Sequence, residues 1–323
     1  MTTIYFNNQT GSDTLASGAG PTTAITGTAA AHTGGVASTT ITLTNSPDLT
    51  NVLTDGTHAI WLVTASGRQL SFITAKDNTA KTVTVGDSFT IASGSAVNYA
   101  IGGKRRTIMG STQIFSDAKT GWTYVLEYTG TNYVITADVS MTVESSRTIT
   151  GDSETNLTTI ELQHNGNGFL LGGNGGFPTA FKNIRAISTS ATKTQGAFVR
   201  TGNNGIIFSN CILGDPINKL FTAGGTTNGC SSIFLWNTAV INCLSFGING
   251  VGQTSLGIHV YNSLIANNAG EGIVGASGLT VVQNSVFYNN SGNALRNTGV
   301  GTGGGTTFIV NNSIFANNTT GLN

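Results

Sequence analysis

The chain has 323 residues, a formal net charge of zero and only 9% charged residues, well below the roughly 25% of ordinary globular proteins. A neutral chain of this kind lacks the basic surface that nucleic-acid binding requires, so the composition argues against a nucleic-acid partner. With 44 glycines, it is rich in turn residues, and its polar surface must come from Thr, Ser, Asn and Gly. These features predict an all-β protein.

The first residues and the cysteines indicate the compartment. The segment Met1–Phe6 carries neither a basic region nor the apolar stretch of about 7 to 15 residues that marks a secretory signal, and no apolar run approaches the ~18 residues of a membrane span. Three cysteines, an odd number, argue against a disulfide framework. Cys211 and Cys243 are expected to be small buried thiols at the same position of neighbouring repeats. We therefore expect a protein made in a cytoplasm-like compartment, without membrane insertion.

Residues 31–104 are predicted to form a small antiparallel β-barrel or sandwich. Short β-forming stretches alternate there with turn pairs such as Asp55-Gly56 and Gly86-Asp87. The expected strands are 38–44, 59–64, 69–74, 82–85 and 96–101. Four aromatic residues of this region are expected in the core or at an interface, namely Trp61, Phe72, Phe89 and Tyr99.

The densest positive cluster, Lys104, Arg105 and Arg106, follows directly. One interpretation is a solvated junction between two regions of the chain. The other is a docking site for an acidic surface of a partner protein.

From residue 121 onward the pattern changes to successive short strands, expected at 122–127, 133–136, 141–143, 147–151 and 158–162. The second half then repeats one phrase, in which an asparagine has apolar residues two positions before and two positions after it. The phrase occurs at 208–212, 240–244, 260–264, 282–286 and 310–314. The alternation predicts strands with one buried face, which the asparagine would share. Recurrence at intervals of 20 to 32 residues predicts one solenoid coil per repeat.

The repeated asparagines are expected to stack their amides from coil to coil and so satisfy polar groups in the interior. The members of this predicted internal ladder are Asn210, Asn242, Asn262, Asn284 and Asn312. Further asparagines and glycines follow the strands, as in Asn267-Asn268 and Asn289-Asn290, and tolerate the positive φ of corners. Scaffolding explains these asparagines better than a sugar-binding groove does.

Over residues 105–323 these repeats resemble the right-handed parallel β-helix family, which includes phage tailspikes, pectate-lyase-like enzymes and other phage virion proteins. The resemblance implies an all-β chain in three regions. Residues 1–30, with Thr3-Ile4-Tyr5-Phe6 and a Gly-Ser-Asp turn, are similar to the segment that precedes the first coil in many such proteins. Residues 31–104 would form the small antiparallel domain, and residues 105–323 the solenoid.

Glycan-cleaving members of such a fold need paired carboxylates, or acidic residues that hold a cation beside an Arg or Lys. From residue 201 to the last residue, the only charged side chains are Asp215, Lys219, Glu271 and Arg296. Asp215 and Glu271 belong to different repeats and are not expected to share a pocket. An earlier group, Asp152, Glu154, Glu161 and His164, is best explained as surface charge. The sequence predicts no catalytic residues, no metal site and no cofactor.

The resemblance and the missing signal peptide predict a non-enzymatic virion protein assembled in the host cytoplasm. We expect a capsid decoration (cement) protein or short fibre on the virion surface, forming a homotrimer and contacting the major capsid or tail protein. The alternative is a tailspike-like receptor-binding protein or a depolymerase acting on bacterial surface polysaccharide. In that case Tyr261 and Tyr288 would stack on sugar rings, and Asp215 or Glu271 would supply acid and base groups. A third hypothesis, a host adhesin, would need an export signal.

Overall fold

The computed structural model divides into two compact units, Met1–Thr129 and Gly130–Asn323. It describes residues 3–12, 17–30, 37–55, 57–64, 67–89, 91, 97–108, 121–141, 146–171, 178–189, 197–200, 205–214, 232–243, 245–249, 257–275, 278–297 and 307–321. In these ranges the regular secondary structure is all β, and none of them holds a helix long and apolar enough to cross a membrane.

The first unit contains an antiparallel sheet of six strands. The described strands of the unit as a whole are β1 (Thr3–Phe6), β2 (Ile25–Ala29), β3 (Ser38–Thr42), β4 (Ala59–Thr64), β5 (Gly67–Asp77), β6 (Thr82–Phe89), β7 (Val97–Ile101) and β8 (Trp122–Leu126). The sheet has the order β2-β7-β4-β5-β6-β3. Alternate residues of these strands bury an apolar face, including Ile60, Leu62, Ile73 and Val83. The predicted N-terminal antiparallel domain is confirmed.

Strands β1 and β8 pair in parallel in the same unit, with Ile4 opposite Tyr124 and Phe6 opposite Leu126. These four side chains are fully buried. Two strands so far apart in sequence are held together by this apolar layer, because burying each such side chain contributes about 1.5–3 kcal/mol.

The second unit is built from short parallel strands. They are β9 (Tyr133–Ile135), β10 (Val139–Met141), β11 (Arg147–Gly151), β12 (Thr158–Leu162), β13 (Phe169–Leu171), β14 (Thr179–Lys182), β15 (Ile184–Ser188), β16 (Phe198–Arg200), β17 (Ile206–Ser209), β18 (Ile212–Leu213), β19 (Ser232–Trp236), β20 (Ala239–Ile241), β21 (Ile248–Asn249), β22 (Gly257–Tyr261), β23 (Leu264–Ala266), β24 (Ile273–Gly275), β25 (Leu279–Gln283), β26 (Val286–Tyr288), β27 (Leu295–Asn297), β28 (Thr307–Asn311) and β29 (Ile314–Ala316).

Each coil adds one strand to each of several parallel sheets. The first sheet of this unit runs β11-β14-β17-β19-β22-β25-β28, and the second runs β9-β12-β15-β18-β20-β23-β26-β29. Two three-stranded sheets, β10-β13-β16 and β21-β24-β27, complete the coils. Neighbours along each sheet are one coil apart in sequence, which is the topology of a solenoid. The parallel β-helix predicted from the repeats is confirmed.

Stacked apolar side chains form the solenoid core. Phe169, Phe181, Phe198 and Phe208 make ring contacts with centroids 4.7 to 5.5 Å apart. Identical side chains can stack in this way because successive coils repeat at the strand spacing of about 4.8 Å. Such aromatic pairs add about 0.5–1.5 kcal/mol each beyond the burial of their area.

The repeated asparagines occupy corners, in two separate rows. Each follows the last residue of a strand and has a φ between 47° and 55°. The row after the first sheet contains Asn183, Asn210, Asn237, Asn262, Asn284 and Asn312. The row after the second sheet contains Asn242, Asn267, Asn289 and Asn317. The prediction that Asn242 aligns with Asn210 and Asn262 was therefore wrong.

The predicted inward orientation of the first row was also wrong. Asn262, Asn284 and Asn312 are exposed, and Asn210 is half-buried. The reason is that the left-handed conformation at each asparagine ends the strand and breaks its alternation, so the following residue turns inward instead. The amides do form a ladder, but on the outside: Asn284 donates to Asn262 at 3.2 Å, and Asn312 donates to Asn284 at 2.7 Å.

The interior rows are made by the residues that follow these corners. At the first corner, hydroxyls of Thr238, Ser263 and Ser285 each accept a hydrogen bond from the backbone N–H one coil earlier. At the second corner, buried Asn268 and Asn290 form an internal amide row. Polar groups at the bends are thus satisfied inside the protein.

The two buried cysteines belong to different corners, contrary to the expectation from sequence. The N–H of Cys211 donates to Thr238 in the first row, whereas the N–H of Cys243 donates to Asn268 in the second. Neither cysteine is part of a disulfide in the described structure. Burial raises the pKa of Cys211 to about 12.

Candidate functional site

A group of half-buried and exposed aromatic side chains lies on the first sheet of the solenoid, on β19 and β22. Along both strands alternate residues point inward, and Ile233, Leu235, Ile258 and Val260 are buried. The residues between them must point outward. They are Phe234, Trp236, His259 and Tyr261, which we call the aromatic face.

The strand register places these rings in pairs. Phe234 lies opposite His259, and Trp236 lies opposite Tyr261. The rings of Phe234 and His259 are stacked, with centroids 4.5 Å apart and planes inclined by 8°. Those of Trp236 and Tyr261 are 5.4 Å apart at 42°. The result is a nearly continuous ring surface, since His259 and Tyr261 are also within 6.4 Å of each other.

Two local features shape this surface. Gly257 leaves room for the imidazole, because a Cβ there would lie 3.0 Å from His259 Nε2. Partial burial lowers the pKa of His259, so that the ring is neutral near pH 7. Trp236, by contrast, is 50% exposed. Rings held in place by their neighbours but open to solvent are suited to bind a flat apolar surface of a ligand.

The neighbouring coils add small polar groups. Ser209 lies opposite Trp236 on the preceding strand, and Gln283 lies opposite Tyr261 on the following one. Lys182 continues the same column before Ser209. Among the outward positions that the structure describes in the first sheet, on strands β11, β14, β17, β19, β22, β25 and β28, none is a carboxylate. These positions provide stacking, hydrogen bonds and one positive charge.

The two predicted sugar-stacking tyrosines lie on different surfaces. Tyr261 is part of the aromatic face, whereas Tyr288 is 43% exposed on the second sheet, opposite Ala266 and Ala316. The structure therefore does not bring them together. Asp215, one of the two acidic residues that the depolymerase hypothesis assigned to acid and base roles, lies outside the described residues.

Glu271 is engaged in an ion pair. Its Oε1 lies 2.6 Å from Nη1 of Arg296 in the next coil, and its side chain is only 14% exposed. This geometry is that of a structural contact between coils.

The basic cluster is divided among three environments. Arg105 is fully buried, with its guanidinium 4.5 Å from the centre of the Trp61 ring. Lys104 forms a 2.6 Å ion pair with Glu127, and Arg106 is exposed. The prediction of one docking surface formed by all three residues is therefore wrong, because Arg105 is buried in the interior of its own unit and packs on Trp61.

Phe234 and Trp236 were not predicted as site residues from the sequence. The predicted repeat used Asn242 as its corner, whereas the structure shows that Asn237, directly after β19, is the corner of this sheet. The signal was the alternation of Ile233-Phe234-Leu235-Trp236 directly before that asparagine. In the described ranges, moreover, no group of three His, Cys, Asp or Glu side chains could hold a metal ion.

Comparisons with known proteins concern the fold. No protein-family model matches the chain, and no curated protein sequence matches it. Among solved structures, the chain is similar to the Agl-KA catalytic domain, with 10% identity and a TM-score of 0.35 over 92% of this chain and 66% of that one. It is also similar to the tailspike protein gp49 from Pseudomonas phage LKA1, with 13% identity and a TM-score of 0.29 over 99% of this chain and 67% of that one.

The chain thus spans about two thirds of the length of each of these structures. At these TM-scores neither similarity supports a conclusion about function, and the strand pairings alone define the β-helix.

Proposed function

We propose that the protein is a non-enzymatic, tailspike-like β-helix that binds a carbohydrate of a bacterial surface through the aromatic face. The observation that supports this proposal is the outward stack of Phe234 on His259 beside Trp236 and Tyr261. These four rings lie on the outward side of the sheet, whereas the apolar side chains between them on the same strands, such as Leu235 and Val260, point inward and form the core.

A sugar ring fits the chemistry of this surface. The C–H face of a pyranose is apolar and packs on an aromatic ring, while its hydroxyls need hydrogen-bond partners at the rim. Ser209 and Gln283 provide such groups one coil to either side. With Lys182 as the nearby charge and no carboxylate at the outward positions described, the surface favours neutral or acidic sugars over basic ones.

The virion setting predicted from the sequence is part of this proposal. A decoration protein or short fibre on the particle, as a homotrimer that contacts a capsid or tail protein, would present the aromatic face to the host surface. Quantitative mass spectrometry of purified phage particles tests the setting: hundreds of copies favour head decoration and a few favour the tail. Absence from the particles would contradict the setting and leave the carbohydrate proposal to its own test.

The direct test compares two tryptophan- or tyrosine-to-alanine variants. Trp236→Ala removes a half-exposed ring from the aromatic face, and Tyr288→Ala removes a similarly exposed ring from the second sheet. Titration with purified surface polysaccharides should show about 30-fold weaker binding for Trp236→Ala, the loss typical of a central aromatic contact. Tyr288→Ala should bind within about twofold of the parent. Equal losses in both variants, or no binding by the parent chain, would refute the proposal.

Catalysis is tested separately, by measuring the release of reducing ends from the polysaccharide that binds. We expect no release, because Glu271 is held by Arg296 and the outward positions described beside the aromatic face carry no second carboxylate. Release that disappears in Glu271→Gln would instead identify a glycan depolymerase.

A further inference from the structure

A cavity lined mainly by hydroxyl-bearing residues lies in the first unit, separate from the aromatic face. Its volume is about 360 Å³, at the lower end of the range of small-molecule sites. The main lining residues are Thr10, Ser12, Thr22, Thr23, Gly103 and Lys104. They come from three segments of the chain. Residues 103–104 form backbone hydrogen bonds with both of the other segments, at Ser12 and at Pro21.

Backbone contacts fix these segments before any ligand arrives. The N–H of Ser12 donates to the carbonyl of Lys104 at 2.8 Å, and the N–H of Gly103 donates to that of Pro21 at 2.8 Å. Gly11 packs so closely on Arg105 that a side chain there would collide with its backbone. A cavity with walls held in this way loses little freedom when it binds a ligand, which favours affinity.

The chemistry of the lining selects the kind of ligand. Four of the lining residues carry a hydroxyl group, which can both donate and accept a hydrogen bond. The ammonium of Lys104 adds N–H donors, but its charge is offset by Glu127, whose carboxylate oxygens lie at 2.6 and 2.9 Å. Glu127 is held in turn by Asn7 at 2.8 Å. A lining rich in hydroxyls and close to neutral matches a hydroxyl-rich, uncharged molecule better than an anion.

We propose that this cavity binds a small neutral polyol, of the size of one sugar residue or one alditol. Neither this site nor its ligand depends on the aromatic face, because the lining residues all belong to Met1–Thr129. For a ligand of about twelve non-hydrogen atoms, we expect a dissociation constant on the order of 1 mM.

The test is ligand-observed NMR of the full chain with glucose, galactose, ribitol and sorbitol, and with inorganic phosphate as the charged probe. A double variant, Thr22→Val with Thr23→Val, removes two hydroxyls while keeping the shape of both side chains and the pair of Lys104 with Glu127. It should weaken polyol binding at least tenfold. Thr57→Val, at a residue of the same unit that does not line the cavity, is the matched control and should leave binding unchanged.

Saturable binding of at least one polyol that the double variant loses supports the proposal. Failure of every polyol to bind at 100-fold the expected dissociation constant would overturn it, as would binding that is equal in the double variant and the control. Phosphate binding in preference to the polyols would overturn the assignment to a neutral ligand. Trp236→Ala is expected to leave polyol binding at this cavity unchanged. Failure of the polyol proposal can therefore be distinguished from failure of the carbohydrate proposal for the aromatic face.

Discussion

Removing the amide of Asn290, in the interior row, should destabilise the solenoid much more than removing the amide of Asn262, in the exterior corner row. Asn290 is 1% exposed and takes part in four hydrogen bonds of its side chain. It donates to Ile265 and Asn318 and accepts from the backbone and side chain of Asn268. Asn290→Ala leaves these buried partners unsatisfied.

The expected magnitude follows from these contacts. A buried group left without its partner costs about 1–3 kcal/mol, and some of the groups around Asn290 can rearrange, so we expect a total loss of roughly 3–5 kcal/mol. Asn262 is exposed, and its side chain accepts one described hydrogen bond, from Asn284 at 3.2 Å. For Asn262→Gly, which keeps the positive φ accessible, we expect a loss of only about 0.5–1 kcal/mol.

Denaturant unfolding followed by hydrogen exchange provides the assay. The exchange measurement is needed because a solenoid can lose stability in a few coils without global unfolding. We expect protection in β23 and β26 to fall in Asn290→Ala and to remain in Asn262→Gly. A larger loss in Asn262→Gly would mean that the exterior ladder, and not the interior row, holds the coils together, which would refute this account.

Three further predictions concern other contacts. Lys76→Met should destabilise the first unit by about 1.5–3 kcal/mol by denaturant unfolding, because its ammonium donates to the backbone carbonyls of Leu49, Thr50 and Val52 at 2.6 to 2.7 Å. Burial lowers the pKa of both His58 and His259, so that these side chains bind protons at a higher pH in the unfolded chain than in the folded protein. The free energy of unfolding should therefore fall as the pH drops below about 6.5. A melting temperature that stays constant between pH 7.5 and 5.5 would contradict this prediction. Burial raises the pKa of Cys211 to about 12, so its thiol should not react with iodoacetamide at pH 8 until denaturant is added. Mass spectrometry of peptides from the labelled protein measures this reaction. Rapid labelling of the folded protein would show instead that the thiol is accessible.

The alternation of apolar residues was enough to predict the coils, because each strand buries one face regardless of the conformation of the turns that follow it. Strands 147–151 and 158–162 were predicted at the observed bounds. The orientation of the corner asparagines could not be obtained in the same way. Alternation holds only while the chain stays extended, and a φ near 50° at the asparagine reverses which neighbour faces the core.

The aromatic face was harder to predict, because it depends on which strands stack. Two corner asparagines, Asn237 and Asn242, occur five positions apart in one coil, and either can be aligned with Asn210 when only the sequence is known. The spacing from Asn210 to either asparagine is compatible with one coil, so the sequence alone does not show which of the two aligns with it. Once the register is known, Trp236 falls opposite Tyr261 and the site follows.

The central claim, that a carbohydrate covers the aromatic face, is tested most directly by acrylamide quenching of tryptophan fluorescence. The chain has three tryptophans; Trp61 and Trp122 are buried, and Trp236 is 50% exposed. Trp236 should therefore account for nearly all the quenchable emission, with Trp236→Phe as the control that removes it. Bound surface polysaccharide should protect this emission at saturation. Polysaccharide that binds but leaves Trp236 as quenchable as in the free protein would contradict the claim.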